Sequence, residues 1–232
     1  MTTSSEIKAF YDKIQFPGPY THDQMIQASE CTDNVFLKFI EQYLRPGQQV
    51  LDAGCGSGLI SNLFAKKFAS DFTAVDFSNS IKFGEAYAKQ HGITNIFWAQ
   101  EDLTAMKIQQ QFDLVICQGV LHHVPEYKKV LSLLKNATKT GGILLLGLYH
   151  PYGKILKKYF KLNYGSKILE IDQEQNALEL SFSFDQVLDL CQDLEFLNST
   201  PPYTSEFVAK IGSLLSSANG GLILYAFRKS HV

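Results

Sequence analysis

The sequence predicts an α/β protein built on a doubly wound, Rossmann-like parallel sheet, and two observations carry this prediction. Short, continuous apolar runs alternate with amphipathic segments of helical period, which is typical of parallel strands covered by helices on both faces. The chain also has 232 residues, 45% of them hydrophobic and 19% charged, which is long enough for one sizeable core. We therefore expect one domain over residues 1–232.

The elements follow one another in a regular order after an aromatic, turn-rich start. The apolar runs predict strands at 50–53, 72–75, 96–99, 112–117, 142–148, 194–200 and 222–228. Apolar residues at helical spacing predict helices at 35–44, 59–68, 79–91, 126–137, 183–191 and 205–217. Pro46 and Gly47 end the first of these helices. Ser183 and Gln186 have the spacing of a capping box, which marks the start of a later one.

A glycine-rich turn joins the first predicted strand to the helix after it. Its glycines are Gly54, Gly56 and Gly58, and glycine lets the backbone turn tightly and approach a ligand at the end of a strand. Leu59 stands where a dinucleotide-binding fingerprint has its third glycine, and no Gly-Lys-Ser/Thr follows, which argues against NAD and against a P-loop. The alternative without a ligand is a turn that needs glycine only for packing.

Polar residues end the neighbouring strands at the same edge of the predicted sheet. Asp76 ends the second strand, where a carboxylate can accept hydrogen bonds from both hydroxyls of a ribose. Glu101 and Asp102 follow the third strand, where a side chain can meet an adenine edge, and Gln118 ends the fourth. Together with the glycine turn, these residues indicate a nucleoside-containing ligand that lies across the strand ends.

This ordered set of motifs resembles the class I S-adenosylmethionine-dependent methyltransferases, and the resemblance covers residues 48–150. It implies a seven-stranded sheet of order 3-2-1-4-5-7-6 with the last strand antiparallel. It also implies S-adenosyl-L-methionine as the cofactor, S-adenosyl-L-homocysteine as the product, and no metal ion.

The resemblance also implies roles for single residues. The three glycines would line the methionine part of the cofactor, with Asp52 bracing their loop. Asp76 would hold the ribose, and Phe77 would pack on the adenine. Asp102 would bond the adenine amino group, and Gln118 would contact the cofactor near its sulfonium. The predicted cofactor-binding residues are Tyr11, Tyr20, Asp52, Ala53, Gly54, Gly56, Gly58, Asp76, Phe77, Glu101, Asp102, Leu103 and Gln118.

A histidine pair follows the fourth strand, where the family places substrate-facing residues. The family's pattern points the second of the pair, His123, toward the pocket. His123 is therefore the predicted catalytic residue, either as a general base or as an orienter, a residue that positions the substrate. A packed, hydrogen-bonded core histidine is the alternative. Pro201-Pro202-Tyr203 lies far downstream of the fourth strand, so we interpret it as a turn before a helix and not as the motif of base-methylating relatives.

Two segments outside the alternating strands and helices are candidates for determining which acceptor is bound. Residues 1–31 resemble an N-terminal lid, in which Tyr11 and Tyr20 would reach the cofactor carboxylate or the substrate; a permanently docked flap is the alternative. Residues 151–180 form an insertion after the fifth strand. The simplest explanation of its lysine-bearing helix face is a solvated surface. The functional alternatives are binding of an anionic substrate, of a carrier phosphopantetheine or of an acidic membrane surface. These lysines are Lys154, Lys157, Lys158 and Lys161.

Charge and composition narrow the class of partner. Lys and Arg number 21 and Asp and Glu number 23, which gives a net charge of −2, whereas nucleic-acid binders usually carry a basic excess. A secretory signal and an apolar stretch of about 20 residues are both missing, so we expect a cytoplasmic protein without a membrane span. The cysteines, which we expect to be reduced thiols and not zinc ligands, are Cys31, Cys55, Cys117 and Cys191.

The sequence thus supports one main hypothesis and two alternatives. The main hypothesis is methyl transfer to the oxygen, nitrogen or carbon of a small molecule by in-line displacement in an aromatic-lined pocket. The first alternative is methyl transfer to RNA or protein through the lysine-bearing face. The second is a catalytically inactive, cofactor-binding partner subunit, because binding does not prove turnover.

Overall fold

Seven strands form one sheet in the computed structural model, which describes residues 8, 12, 24, 26, 27, 34–107, 110–154, 178–215 and 221–230. In chain order the strands are β1 (Gln49–Ala53), β2 (Asp71–Asp76), β3 (Ile96–Gln100), β4 (Phe112–Gln118), β5 (Thr138–Tyr149), β6 (Glu195–Thr200) and β7 (Leu222–Arg228). Their order across the sheet is β3-β2-β1-β4-β5-β7-β6, and this confirms the predicted order.

The direction of the strands decides where their loops meet. β1 pairs in parallel with β2 and β4, β2 pairs in parallel with β3, and β4 with β5. β7 runs antiparallel to both β5 and β6, as predicted for the last strand. The loops that follow the parallel strands therefore converge on one edge of the sheet, and β7 begins at that same edge.

The helices lie close to their predicted bounds. They are α1 (Val35–Glu41), α2 (Leu59–Lys67), α3 (Ile81–Gln90), α4 (Tyr127–Ala137), α5 (Phe184–Leu190) and α6 (Glu206–Leu215), with 3₁₀ turns at Leu121–His123 and Pro151–Lys154. The predicted capping box starts α5: Gln186 N donates to Ser183 Oγ at 3.2 Å, and Ser183 N donates to Gln186 Oε1 at 2.8 Å. The Pro201-Pro202-Tyr203 stretch is a turn before α6, as predicted, in which Tyr203 N donates to Pro201 O at 2.8 Å.

β5 begins earlier than its apolar run indicates. The sequence predicts a start at 142, whereas the strand starts at Thr138, which is buried and pairs with Phe112. The register between β4 and β5 then shifts between Phe112 and Leu114. Residues 139–141 are polar or small, so no apolar run marks this stretch, and only the pairing with β4 makes it a strand.

Two apolar layers cover the sheet. On one face Leu51 and Val115 pack with buried side chains of α4, α5 and α6, and on the other face Val50 and Leu114 pack with those of α1, α2 and α3. Successive residues of β1 and β4 thus serve opposite layers, as the alternation of a strand requires. Ile26 is 3% exposed and belongs to the second layer, so the N-terminal segment contributes to the core.

The described residues hold three of the four cysteines, all as free thiols. Cys117 and Cys191 are buried free thiols and Cys55 is a half-buried one, while Cys31 lies outside those residues. Within the described ranges no His, Cys, Asp and Glu side chains gather in a group that could hold a metal ion. In the same part of the chain, no helix has the length and apolarity to cross a bilayer.

The packing of Trp98 against α3 leads to a first prediction. A Cβ added at Gly84 would lie 2.5 Å from Ser57 O and 2.7 Å from the Trp98 ring, and the Ser57 carbonyl is backbone that cannot turn aside. We expect Gly84→Ala to lower the free energy of unfolding by about 1–3 kcal/mol, the usual cost of overpacking. Urea denaturation of the two proteins measures this difference.

Helix propensity alone predicts the opposite change in unfolding free energy for this substitution. Alanine in place of glycine within a helix would stabilise the protein by about 1 kcal/mol, so a more stable Gly84→Ala variant would contradict the packing argument. Gly92→Ala is the control, because no atom of the described residues lies within 4 Å of a Cβ there and only the cost of its φ of +66° remains.

Candidate functional site

A cavity of about 340 Å³ lies at the edge of the sheet where β1, β2 and β4 end. Its walls come from the loops that follow those strands, the start of α1, the end of β5 and the first residue of β7. The parallel pairing described above brings these loops together, so the fold itself places the cavity.

The loop after β1 presents backbone to this cavity because its glycines fit against neighbouring side chains. Gly54 has a φ of +78°, and a Cβ there would collide with Val120 Cγ2. Gly58 has a φ of +72°, and a Cβ there would collide with the Trp98 ring. Gly54 N donates to Val75 O at 2.7 Å, which fastens the loop to the end of β2. Both positions therefore need glycine for its backbone conformation and for the space around it.

Asp76 is a buried carboxylate whose orientation is fixed from two sides. Its Oδ2 accepts a hydrogen bond from Gly56 N at 2.9 Å, and its Oδ1 accepts from Ser78 N at 2.8 Å and from Ser78 Oγ at 2.6 Å. A carboxylate offers about four lone-pair sites. Asp76, which lines the cavity, can therefore still accept from a ligand hydroxyl.

Asp102 presents a second carboxylate to the cavity from the loop after β3. Its Oδ1 accepts from Thr104 N and from Thr104 Oγ1, both at 2.8 Å, a local turn that fixes the side chain. Leu103 and Thr104 line the cavity beside it. The polar edge of a ring bound here would find an oriented acceptor next to an apolar side chain.

Asp52 is a third carboxylate, 2% exposed at the end of β1. Its Oδ2 accepts from Ser61 Oγ at 2.6 Å. Burial, together with the neighbouring charge of Asp76, raises the pKa of Asp52 to about 6, although the Ser61 bond opposes the shift. Burial also raises the pKa of the Cys55 thiol, which therefore stays protonated at neutral pH.

The polar atoms of the cavity fit a ligand that brings positive charge and N–H or O–H donors. Three carboxylates line it, and no lysine or arginine does among the residues described. Gln118 Oε1 is buried and has no hydrogen-bond partner in the described ranges, a situation that costs about 1–3 kcal/mol until a donor arrives. S-Adenosylmethionine carries an ammonium, a sulfonium and ribose hydroxyls, so this donor and acceptor pattern suits it.

His123 also lines the cavity and is 5% exposed. Its Nδ1 is 2.9 Å from Leu178 O. A carbonyl oxygen only accepts hydrogen bonds, so Nδ1 carries the proton, and Nε2 of the neutral ring is the nitrogen with a lone pair. The contact with Leu178 O therefore fixes the tautomer of the ring.

Residues 178–182 hold the surroundings of His123 in place. Besides the Leu178 carbonyl, Leu180 N donates to His122 O and Phe182 N donates to Tyr149 O, both at 2.8 Å. The His122 ring packs at 4.1 Å from the His123 ring and at 4.4 Å from the Tyr149 ring, measured between centroids. His123 is thus fixed by main-chain contacts on one side and by aromatic packing on the other.

Most of the predicted site residues come together around the cavity. Those that line it are Asp52, Gly54, Gly56, Asp76, Phe77, Asp102, Leu103, Gln118 and His123. Three others lie elsewhere: Ala53 is buried within β1, Gly58 packs against Trp98, and Glu101 is exposed. Tyr11, Tyr20 and the lysines from Lys157 onward fall outside the described residues, and their predicted roles stay predictions.

Several lining residues were not predicted from the sequence. Asn34 caps α1, with its Oδ1 accepting from Phe36 N at 3.0 Å and Leu37 N at 3.1 Å, and all three residues line the cavity. Leu222 joins them from the start of β7. An Asn before an apolar helical run is a recognisable cap, but nothing in the pattern places α1 beside the loops of the sheet.

Comparisons with known proteins agree with this geometry. Residues 44–179, more than half of the chain, match the model of a family described as a methyltransferase domain. A ubiquinone biosynthesis O-methyltransferase from Coxiella burnetii (strain Dugway 5J108-111) is 37% identical over 112 residues, 47% of this chain and 47% of that protein. The chain spans about half the length of the curated relatives it matches.

Solved structures share the fold at low sequence identity. Geranyl diphosphate C-methyltransferase from Streptomyces coelicolor, crystallised with Mg²⁺, geranyl diphosphate and S-adenosylhomocysteine, has a TM-score of 0.66 and 14% identity, covering 99% of this chain and 100% of that one. The cyclase SpnF has a TM-score of 0.61 and 16% identity, and the match covers 85% of this chain and 81% of that one. Because their names state different reactions, this likeness concerns the fold and leaves the reaction to the site.

The buried position of Asp52 leads to a second prediction. A carboxyl whose pKa rises from 3.8 to about 6 on folding binds its proton more tightly in the folded protein, so its stabilising contribution is complete below pH 3.8 and is lost as the pH rises through 6. Relative to Asp52→Asn, whose amide oxygen still accepts from Ser61 Oγ, we expect the wild type to lose about 3 kcal/mol of unfolding free energy over this window.

Urea denaturation of both proteins at pH 4 and pH 7 measures this difference. Asp189→Asn, which changes an exposed carboxylate on α5, controls for loss of a surface charge. If the difference in unfolding free energy between wild type and Asp52→Asn is the same at both pH values, the raised pKa of Asp52 is contradicted.

Proposed function

Since this chain belongs to the class I S-adenosylmethionine-dependent methyltransferases, the family whose domain it matches, we propose that it methylates a hydroxyl group of a small molecule. The observation that carries the proposal is the cavity, whose volume of about 340 Å³ falls within the roughly 300–1,000 Å³ of small-ligand sites. A hydroxyl acceptor is supported by the name of the Coxiella relative, an O-methyltransferase.

The residues that line the cavity differ in chemistry, and this supports separate places for cofactor and acceptor. We call the carboxylates with the glycine loop the cofactor end of the cavity, and His123 with the apolar lining residues its acceptor end. An apolar wall excludes water and suits an aromatic or aliphatic acceptor. The apolar side chains assigned to the acceptor end are Phe36, Leu37, Val124, Tyr149 and Leu222.

Each residue of the cofactor end has a proposed task. Bound S-adenosylmethionine supplies a methyl group on a positively charged sulfur and leaves as S-adenosylhomocysteine. Asp76 would hold the ribose, and Asp102 with Leu103 would hold the adenine. Gln118 Oε1, the buried acceptor described above, would accept from the donors of the methionine part.

His123 is the proposed general base. The acceptor hydroxyl would donate to Nε2, and its proton would move to that nitrogen as the new oxygen–methyl bond forms. The Nδ1–H bond to Leu178 O keeps the ring in the required tautomer and supports the imidazolium that results. Alignment of the acceptor oxygen with the methyl group remains the larger contribution, because an in-line displacement depends on geometry.

The proposed partner is a small molecule and the proposed location is the cytoplasm. The net charge of −2 supports a small-molecule substrate over a nucleic acid, and we propose a cytoplasmic enzyme. The N-terminal lid over residues 1–31 and the insertion over 151–180 are proposed to shape the acceptor end, within a single domain.

The role of His123 leads to a third prediction. The substrate for this test is the phenol that the wild type methylates fastest in a panel of phenolic acceptors. With this phenol, His123→Ala should lower kcat at least about 100-fold, the usual scale of general base catalysis. The Kd of S-adenosylhomocysteine, measured by calorimetry, should stay within about threefold, because the residues proposed to hold the cofactor are unchanged in this variant. Release of S-adenosylhomocysteine measures the rate.

A matched pair of variants separates a base from an orienter. His123→Asn retains a donor near the Nδ1 position and lacks Nε2, so a base predicts that it is as slow as His123→Ala. Recovery of activity in His123→Asn would make His123 an orienter instead. His91→Ala, which removes a surface histidine stacked on Tyr87, is the control. Tight cofactor binding with no turnover of any phenol by the wild type would favour the inactive partner subunit, and salt-dependent binding to RNA would favour the RNA substrate.

A further inference from the structure

A carboxylate of the N-terminal segment contacts the turn that frames the cofactor end of the cavity. Asp12 Oδ1 accepts a hydrogen bond from Asn79 N at 2.8 Å, and Asp12 Oδ2 accepts from Lys8 Nζ at 2.8 Å. Asp12 and Asn79 are far apart in the sequence, so the contact is tertiary. It joins a segment outside the sheet to the loop that follows β2.

The turn at 77–80 is part of the cavity wall. Phe77, Ser78 and Ser80 line the cavity, and Asp76 holds Ser78 through both its amide and its hydroxyl. Asp12 holds the amide of the very next residue. The turn is therefore fixed by two carboxylates, one from β2 and one from the N-terminal segment.

The start of α3 gives an independent reason for this contact. Ser80 is the N-cap residue of α3, and its side chain makes no capping bond among the described residues. Asp12 accepts from Asn79 N, one residue before this N-cap. Its negative charge therefore lies at the end of the helix where the helix dipole favours it.

We propose that Asp12 is a positioning residue for the cofactor: its carboxylate holds the 77–80 turn in the conformation in which Phe77 and Ser78 meet the nucleoside. This rests on the proposed function in one respect, the assignment of this end of the cavity to the cofactor. It does not depend on which acceptor is methylated or on the role of His123.

Binding of S-adenosylhomocysteine by calorimetry tests the proposal without any acceptor. Asp12→Ala removes the acceptor for Asn79 N, and we expect the Kd to rise about fivefold to tenfold, the scale of one charge-assisted hydrogen bond at a partly exposed site. Asp12→Asn retains an oxygen that can accept from Asn79 N and should recover most of the affinity. In turnover, Asp12→Ala should raise the KM for S-adenosylmethionine and leave kcat within about twofold.

The same measurements identify the result that would overturn the proposal. If Asp12→Ala binds S-adenosylhomocysteine within twofold of the wild type, the contact does not position the cofactor. If it lowers the Tm of the ligand-free protein and reduces kcat as much as it raises KM, Asp12 has only a structural role. The control is Glu85→Ala, which removes an exposed carboxylate from α3 itself and should leave the Kd unchanged. If Glu85→Ala raises the Kd as much as Asp12→Ala does, the effect is a general loss of negative charge and not the contact with Asn79.

Discussion

The close approach of backbone to side chain around the loop after β1 is the constraint on which the rest of the site depends. Gly54 lies against Val120 from the loop after β4, and Gly58 lies against Trp98 of β3. A side chain at either glycine would push these neighbours or the loop itself aside. The loop after β1 would then shift relative to β3 and to the loop after β4, and with it the Gly56 amide that orients Asp76.

The electrostatics of the site follow from this tight packing. Because the loops exclude solvent from the end of β1, the carboxyl of Asp52 is buried near Asp76 and its pKa rises to about 6. A cationic ligand in the cavity stabilises the charged form of Asp52, so ligand binding and loss of the Asp52 proton are coupled. The pattern of acceptors without lysine or arginine among the described lining residues thus selects for a positively charged ligand.

The sequence predicts the parts of this structure that are local and misses those that are tertiary. The runs at 50–53 and 112–117 mark β1 and β4 because a strand buried on both faces has apolar residues at every position. Thr138, by contrast, belongs to β5 only because Phe112 pairs with it. Asn34 and Leu222 line the cavity through the way α1 and β7 pack, and Asp12 reaches Asn79 across the fold. No spacing rule along the chain contains these contacts.

The proposed cofactor end and acceptor end of the cavity are built from different parts of the chain. The cofactor end comes from loops that directly follow β1, β2 and β3. The proposed acceptor end adds α1, the start of β7 and the carbonyl of Leu178. Leu178 is the clearest case, because its carbonyl sets the tautomer of His123 although it lies 55 residues away in sequence. The cofactor end is therefore marked by local motifs in the sequence, whereas the acceptor end depends on tertiary contacts that no such motif marks.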